Sequence, residues 1–167
     1  MNSRVKPEDQ VVHVGDFITR GGAHGDPGLK KKPIDYISRL NGRWTFVEGN
    51  HDRNNKLKET CHAMFVRISN LQVFVSHYPT DNPVHDPSLM SWVYKNCAFA
   101  ICGHVHNHWR HKWIELPESR AFLNINVGVD ARKYMPISDY ELFSEYSKLV
   151  RERKLQRPEP TGNIPAA

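Results

Sequence analysis

Four times along this chain an apolar run stops at a short stretch of ligand-capable polar residues. Val11-Val12-His13-Val14 ends at Gly15-Asp16, and Trp44-Thr45-Phe46-Val47-Glu48 ends at Gly49-Asn50-His51-Asp52. Leu71-Gln72-Val73-Phe74-Val75-Ser76 delivers His77, and Ala98-Phe99-Ala100-Ile101-Cys102 ends at Gly103-His104-Val105-His106. Short runs of this kind, rich in β-branched and aromatic residues, read as buried strands. In α/β folds, ligands gather outside the carboxyl ends of such strands. The pattern therefore predicts an α/β chain with one polar site, built from loops at a common end of its sheets.

The remaining segments fit around these strands. Residues 21–28 hold four glycines and a proline and read as a loop. A helix is expected over residues 27–40, with Leu29, Ile34, Ile37 and Leu40 on one face and Asn41-Gly42 as the stop. Residues 65–68 read as a weaker strand, 87–96 as a short helix, and 113–116 and 122–127 as further strands. Ser138 with Glu141 forms a capping box for a last helix through Leu142, Phe143, Tyr146, Leu149 and Val150, which Arg157-Pro158-Glu159-Pro160 ends. No repeat or linker is visible. One domain over residues 1–156 is expected, followed by a flexible tail, 157–167.

Composition excludes several classes. Of 167 residues 39% are hydrophobic and 25% charged, as in ordinary globular chains. No run approaches the roughly 18 apolar residues of a membrane span, and the first residues lack a signal-peptide core. No membrane role and a cytoplasmic location are therefore expected. Cys61, Cys97 and Cys102 form no CxxC pair and read as free thiols. The net charge of +5 lies largely in Lys30-Lys31-Lys32 and the segment 148–157. It favours phosphate-bearing substrates in general but forms no continuous basic track, so nucleic acid is not indicated as a partner.

The strand ends carry the chemistry. Asp16, Asn50, His77, His104 and His106 offer one carboxylate, one amide oxygen and three imidazoles. This mixed oxygen and nitrogen set suits a divalent ion, manganese first, with iron, zinc, nickel or magnesium as alternatives. Glycine ahead of a ligand allows a sharp turn and a close approach of substrate phosphate. His104 and His106 flank Val105, so on an extended segment both imidazoles face one way. Of the other histidines, His13 reads as a core residue, and His108 and His111 as surface or rim. Trp92, Trp109 and Trp113 read as packing residues, and Asp130 as a loop organiser rather than a ligand.

The ordered set GD, GNHD, H and GHxH resembles the calcineurin-like metallophosphoesterase superfamily, over residues 11–130. The stretches Lys6-Pro7-Glu8-Asp9, Ser76-His77-Tyr78-Pro79 and Asn126-Val127-Gly128-Val129-Asp130 are similar to small bacterial and phage-type members. The resemblance implies a sandwich of two β-sheets flanked by helices, and metal-dependent hydrolysis of a phosphate mono- or diester. It implies that Asp16 bridges two ions, that Asn50, His77 and His104 complete one ion's protein ligands, and that His106 serves the other. His51 then protonates the leaving group or steadies the phosphoryl oxygens, and Asp52 orients His51. From the residues themselves, Arg53 and Tyr78 are candidates for substrate contact.

One departure stands out. The family's upstream D-x-H motif has no counterpart before Val11. The expectation is a domain without its first strand, with an incomplete second metal site and an uncovered sheet position that invites pairing with another chain. Three readings follow. The first is an active enzyme shortened at its start. The second is a working enzyme with one metal, or one that completes its site from His13, His24, Asp26 or a partner chain. The third is a non-catalytic metal-binding or protein-interaction module.

Overall fold

The structure is a computed structural model of the chain and describes residues 1–17, 32–52, 57 and 60–156. The helix start at 27, the loop 21–28, the candidates Arg53, His24 and Asp26, and the tail 157–167 lie outside the described residues. The chain divides into two compact units, Met1–Pro136 and Ile137–Ala167.

The first unit holds two sheets. Strands β1 (Gln10–Val14), β2 (Arg43–Val47) and β3 (Thr60–Cys61) form a parallel three-stranded sheet in that order, with β1 an edge strand among the described residues. Strands β4 (Ala63–Ile68), β5 (Leu71–Ser76), β6 (Phe99–Cys102), β7 (His111–Glu115) and β8 (Ala121–Asn126) form a five-stranded sheet. Its order is β4-β5-β6-β8-β7, parallel at its centre and antiparallel at both edges. The central strands are buried on both faces, which is why β5 and β6 read as near-continuous apolar runs. On one face Phe74, Ala100 and Phe122 pack with Met90 and Val93 of helix α2 (Pro87–Asn96) and with Cys97, which follows its last turn. Asp86 caps α2, accepting the Ser88 and Leu89 N–H groups at 2.9 and 3.0 Å, and Pro87 takes the first helical position, where its missing N–H costs nothing.

The expected two-sheet α/β sandwich with flanking helices is what the chain folds into. The strands at β1, β2 and β5–β8, the weaker one at β4, and helix α2 fall where the apolar runs placed them. The helix expected to reach residue 40 is shorter. Within the described residues, α1 (Pro33–Ile37) gives way to i→i+3 turns, Arg39 N–H to Tyr36 O and Leu40 N–H to Ile37 O, both 3.0 Å. Its apolar face also differs from expectation: Pro33 is buried, whereas Ile34 is 61% exposed. Strand β3, two residues long, and a 3₁₀ turn at Val129–Arg132 are too short for any periodicity to announce.

The second unit is helix α3 (Asp139–Gln156). Its capping box forms as expected: Ser138 N–H donates to Glu141 Oε2 at 2.9 Å and Glu141 N–H donates to Ser138 Oγ at 3.2 Å. The three cysteines are free thiols, with Cys97 and Cys102 buried. Burial, reinforced by Asp81, pushes the Cys102 thiol up to about 12. Among the described residues no helix is long and apolar enough to cross a membrane.

His13 sits inside an aromatic cluster, its ring centroid 5.1 Å from Phe17, 5.9 Å from Phe46 and 6.4 Å from Trp44. This packing fits the structural role within or beside the core expected of that histidine, but the hydrogen bond expected with it is not seen at Nδ1, which is buried with no hydrogen-bond partner among the described residues. Burial lowers its pKa to about 4, against smaller upward pulls from Asp52 and Asp16. The unfolded chain therefore takes up a proton near pH 6.5 that the folded chain refuses until about pH 4. The resulting stability is complete above that window and is lost as pH falls through it, up to about 3 kcal/mol. Urea unfolding of the parent should lose about that much more stability than His13→Leu across the window. Parallel pH profiles for the two proteins would show that His13 is not held neutral.

Candidate metal centre

The GD and GNHD loops are tied together by one buried carboxylate. Asp52 is 1% exposed and accepts three backbone hydrogen bonds. Its Oδ2 takes the N–H groups of Asp16 (2.7 Å) and Gly49 (2.8 Å), and its Oδ1 takes that of Phe17 (2.9 Å). Gly49 is glycine because the loops touch: a Cβ there would strike the Asp16 carboxylate and backbone nitrogen. Gly15 turns the chain at φ 86°, and a Cβ there would strike His77 Nδ1. The close approach seen at these two glycines is of one loop or strand end against another.

Above this base the candidate ligands converge. Asp16, at the end of β1, has φ 56°, in the left-handed region that costs a non-glycine residue of order 1 kcal/mol or more. Its Oδ1 accepts the His51 N–H at 2.8 Å and its Oδ2 lies 3.3 Å from His77 Nε2. His77, at the end of β5, is 2% exposed and donates Nδ1–H to Val14 O at 2.9 Å. That bond fixes the ring and leaves Nε2 as the bare nitrogen of the neutral imidazole. Asn50 Oδ1 lies 3.0 Å from both His77 Nε2 and His104 Nδ1. His104, after β6, is exposed with φ 63°, its ring 5.1 Å from that of His77.

The electrostatics follow this packing. Burial works against ionisation of Asp16, but its hydrogen bonds from His77 and the His51 N–H outweigh burial and hold its pKa below the usual carboxylate value. Burial likewise opposes a charged His77, yet Asp16 and the Val14 carbonyl lift its pKa above the ordinary imidazole value. His104 is lowered, first by burial and then by neighbouring His77. A positive charge is thus favoured on His77 beside Asp16, while burial and His77 disfavour one on His104.

The donor types of this set, one carboxylate, one amide oxygen and two imidazoles, suit a divalent ion. Ligands about 2.1 Å from one cation stand about 3.0 Å apart in an octahedral shell and about 3.4 Å apart in a tetrahedral one. The observed separations of 3.0, 3.0 and 3.3 Å fall in that interval. Among the described residues no three His, Cys, Asp or Glu side chains close a ligand group by themselves. Here the Asn50 oxygen links the two histidines.

The other candidates are placed as follows. His106 has φ 47°, an exposed imidazole, and Nδ1–H donated to Asp130 Oδ2 at 2.8 Å. Its charge interaction with His104 marks it as a near neighbour. The imidazole of His51 is exposed while its backbone is anchored on Asp16. Tyr78 packs its ring 4.6 Å from that of His104 and 5.0 Å from that of His77. His108 and His111 are exposed.

Two residues that sequence reading passed over hold the loops. Asn124 and Asn126, on one face of β8, are fully buried. Asn124 Oδ1 accepts the Thr80 N–H at 3.0 Å and its Nδ2 donates to Thr80 Oγ1 at 2.9 Å, pinning the loop after His77. Asn126 Nδ2 donates to His106 O and Trp109 O, both 2.7 Å, pinning the loop after β6. The available signal was a pair of amides at alternate positions of an otherwise apolar strand.

The chain matches the calcineurin-like phosphoesterase superfamily domain over residues 1–133 and belongs to that superfamily. Among solved structures it is similar to AQ665, a protein of unknown function from Aquifex aeolicus. That match has 25% identity, covers 86% of this chain and 80% of that one, and has a TM-score of 0.59. An archaeal phosphodiesterase aligns at 22% identity over 72% of this chain and 67% of that one, with TM-score 0.38. Vps29 of Chaetomium thermophilum aligns at 15% over 83% and 63%, with TM-score 0.44. No curated protein matches the chain.

Removing the Asp52 carboxylate leaves three N–H donors without their acceptor, each costing about 1–3 kcal/mol where water cannot replace it. Asp52→Ala should lose at least about 3 kcal/mol in urea unfolding. Asp52→Asn, which turns an NH₂ group toward some of the same donors, should recover only part of it. A loss below about 1 kcal/mol for the alanine variant would show that the loops hold without the clamp.

Proposed function

We propose that this chain hydrolyses a phosphate mono- or diester with water activated by a bound divalent ion, manganese first. The observation that carries the reading is the convergence of Asp16, Asn50, His77 and His104 at coordination spacing, on loops whose geometry is held by buried polar groups. A bound ion in such a site lowers the pKa of its water toward about 7 and so supplies hydroxide near neutral pH.

The chain's own residues do the rest. Asp16, Asn50, His77 and His104 hold the ion, and the Val14 carbonyl keeps His77 Nε2 turned toward it. His51 is tied through its backbone to Asp16, so its exposed imidazole is delivered at the rim of the same centre. There it gives a proton to the departing alkoxide. Asp52 acts on the backbone of both loops, fixing where Asp16 and His51 stand. Tyr78 packs against His104 and offers a phenol beside the substrate.

The test is turnover of bis-p-nitrophenyl phosphate and of a phenyl ester by the purified chain, with manganese and with chelator. Turnover should require metal, and His77→Ala should lower kcat/KM at least about 100-fold. His51→Ala should harm the phenyl ester more than the p-nitrophenyl ester, because only the poorer leaving group needs the proton. Absence of metal-dependent turnover in the parent would overturn the hydrolytic reading and favour a metal-binding module.

A further inference from the structure

We infer that Asp130 is a positioning residue for His106, holding its imidazole in the Nδ1–H tautomer so that a bare Nε2 faces the centre. The inference rests on the reading of His106 as a ligand or phosphate contact of that centre.

His106 needs outside help to hold one orientation. Its backbone is left-handed at φ 47°, and 69% of its side chain is exposed, so packing does not set the ring. The Nδ1–H to Asp130 Oδ2 bond, at 2.8 Å, does set it. A carboxylate oxygen can only accept, so the proton of the neutral ring stands on Nδ1 and the lone pair on Nε2. A free imidazole in water favours the opposite tautomer.

A surface pair alone is a weak restraint, and Asp130 is itself 39% exposed on its side chain. What gives the bond its reach is the frame behind both partners, because buried Asn126 holds each of them. Its Nδ2 donates to His106 O, fixing the backbone that carries the imidazole. Its Oδ1 accepts the Gly128 N–H at 2.8 Å, and its carbonyl accepts Arg132 Nε–H at 2.8 Å. These two bonds bracket the 3₁₀ turn Val129–Arg132 that presents Asp130. The Tyr134 N–H to Val129 O bond, 2.8 Å, closes that turn from the far side. The separation of His106 from Asp130 is therefore set by one fully buried residue, through its amide and its carbonyl, and the hydrogen bond forms between groups already in place. Carboxylates that accept from a ligating histidine in this way typically contribute 10–100-fold to metal affinity.

The experiment is a long-range ¹H–¹⁵N spectrum of the full chain in chelator at about pH 8.5, where an ordinary imidazole is neutral. The His106 signals are assigned by their loss in His106→Ala. The parent should show Nδ1 protonated and Nε2 bare. Asp130→Ala should shift the population toward Nε2–H, and Asp130→Asn, which keeps an acceptor oxygen, should restore the parent pattern. A parent with Nε2–H dominant, an unchanged His106 in Asp130→Ala, or an Asp130→Asn that behaves like the alanine variant would each overturn the inference. Manganese titration by calorimetry adds a second readout. Asp130→Ala should bind at least about 10-fold more weakly, and should add nothing to His106→Ala. A chain that hydrolyses nothing yet keeps the parent tautomer would sink the proposed function and leave Asp130's role standing.

Discussion

The site depends on one buried carboxylate that holds its loops. Asp52 gives both its oxygens to backbone N–H groups, from Asp16 and Phe17 on one loop and Gly49 on its own. A loop cannot supply its own hydrogen-bonding lattice as a helix or sheet does, and buried donors left without acceptors are costly. Replacing that lattice with a single ionised acceptor makes each bond charge-assisted and stronger. The strained φ of Asp16 is tolerable because its N–H has such a partner. Once Asp16 is fixed, His51 is fixed through its N–H, and the Asp16 carboxylate is brought within reach of His77.

The second sheet uses the same device with neutral groups. Asn124 and Asn126 occupy the face of β8 on which Phe122 continues the apolar core. Each turns an amide onto a loop: Asn124 onto Thr80, Asn126 onto His106 and Trp109. A buried amide without partners would destabilise the strand. With partners it makes loop position a consequence of sheet position. Three of the candidate ligands, Asp16, His104 and His106, have left-handed backbones, and strain of this kind persists only where surrounding bonds over-determine it.

Much of this was legible from the chain. The strands that deliver His77 and His104 were readable because strands buried on both faces are written as near-continuous apolar runs, and all four were marked because each run stops abruptly at a polar residue. Helix α2 was readable from Pro87 and its spacing. What could not be read was decided by hydrogen bonds between segments distant in sequence. Asp52 follows His51 directly and resembled its orienting partner, yet the bonds seen for its carboxylate go to backbone 35 and 36 residues away and to Gly49. Asn124 and Asn126 fell in a segment read only as a strand, with no sign of which loops their amides would hold. The early end of α1 depends on i→i+3 turns that leave no periodic trace.

The distribution of rigidity around the centre bears on what it can do. His77 is the most constrained ligand candidate: buried, with one ring nitrogen bound to the Val14 carbonyl and the other facing Asp16 and Asn50. His51, His104 and His106 have exposed imidazoles, held from behind by backbone or side-chain bonds. A centre that only stored an ion would gain by enclosing it. One that must admit a phosphate and release an alcohol needs ligands anchored on the protein side and open on the other. The acceptors that hold the loops are buried, whereas His51, His104 and His106 are exposed and Tyr78 is half-buried. That asymmetry is the physical reason to read the loops as a reaction site.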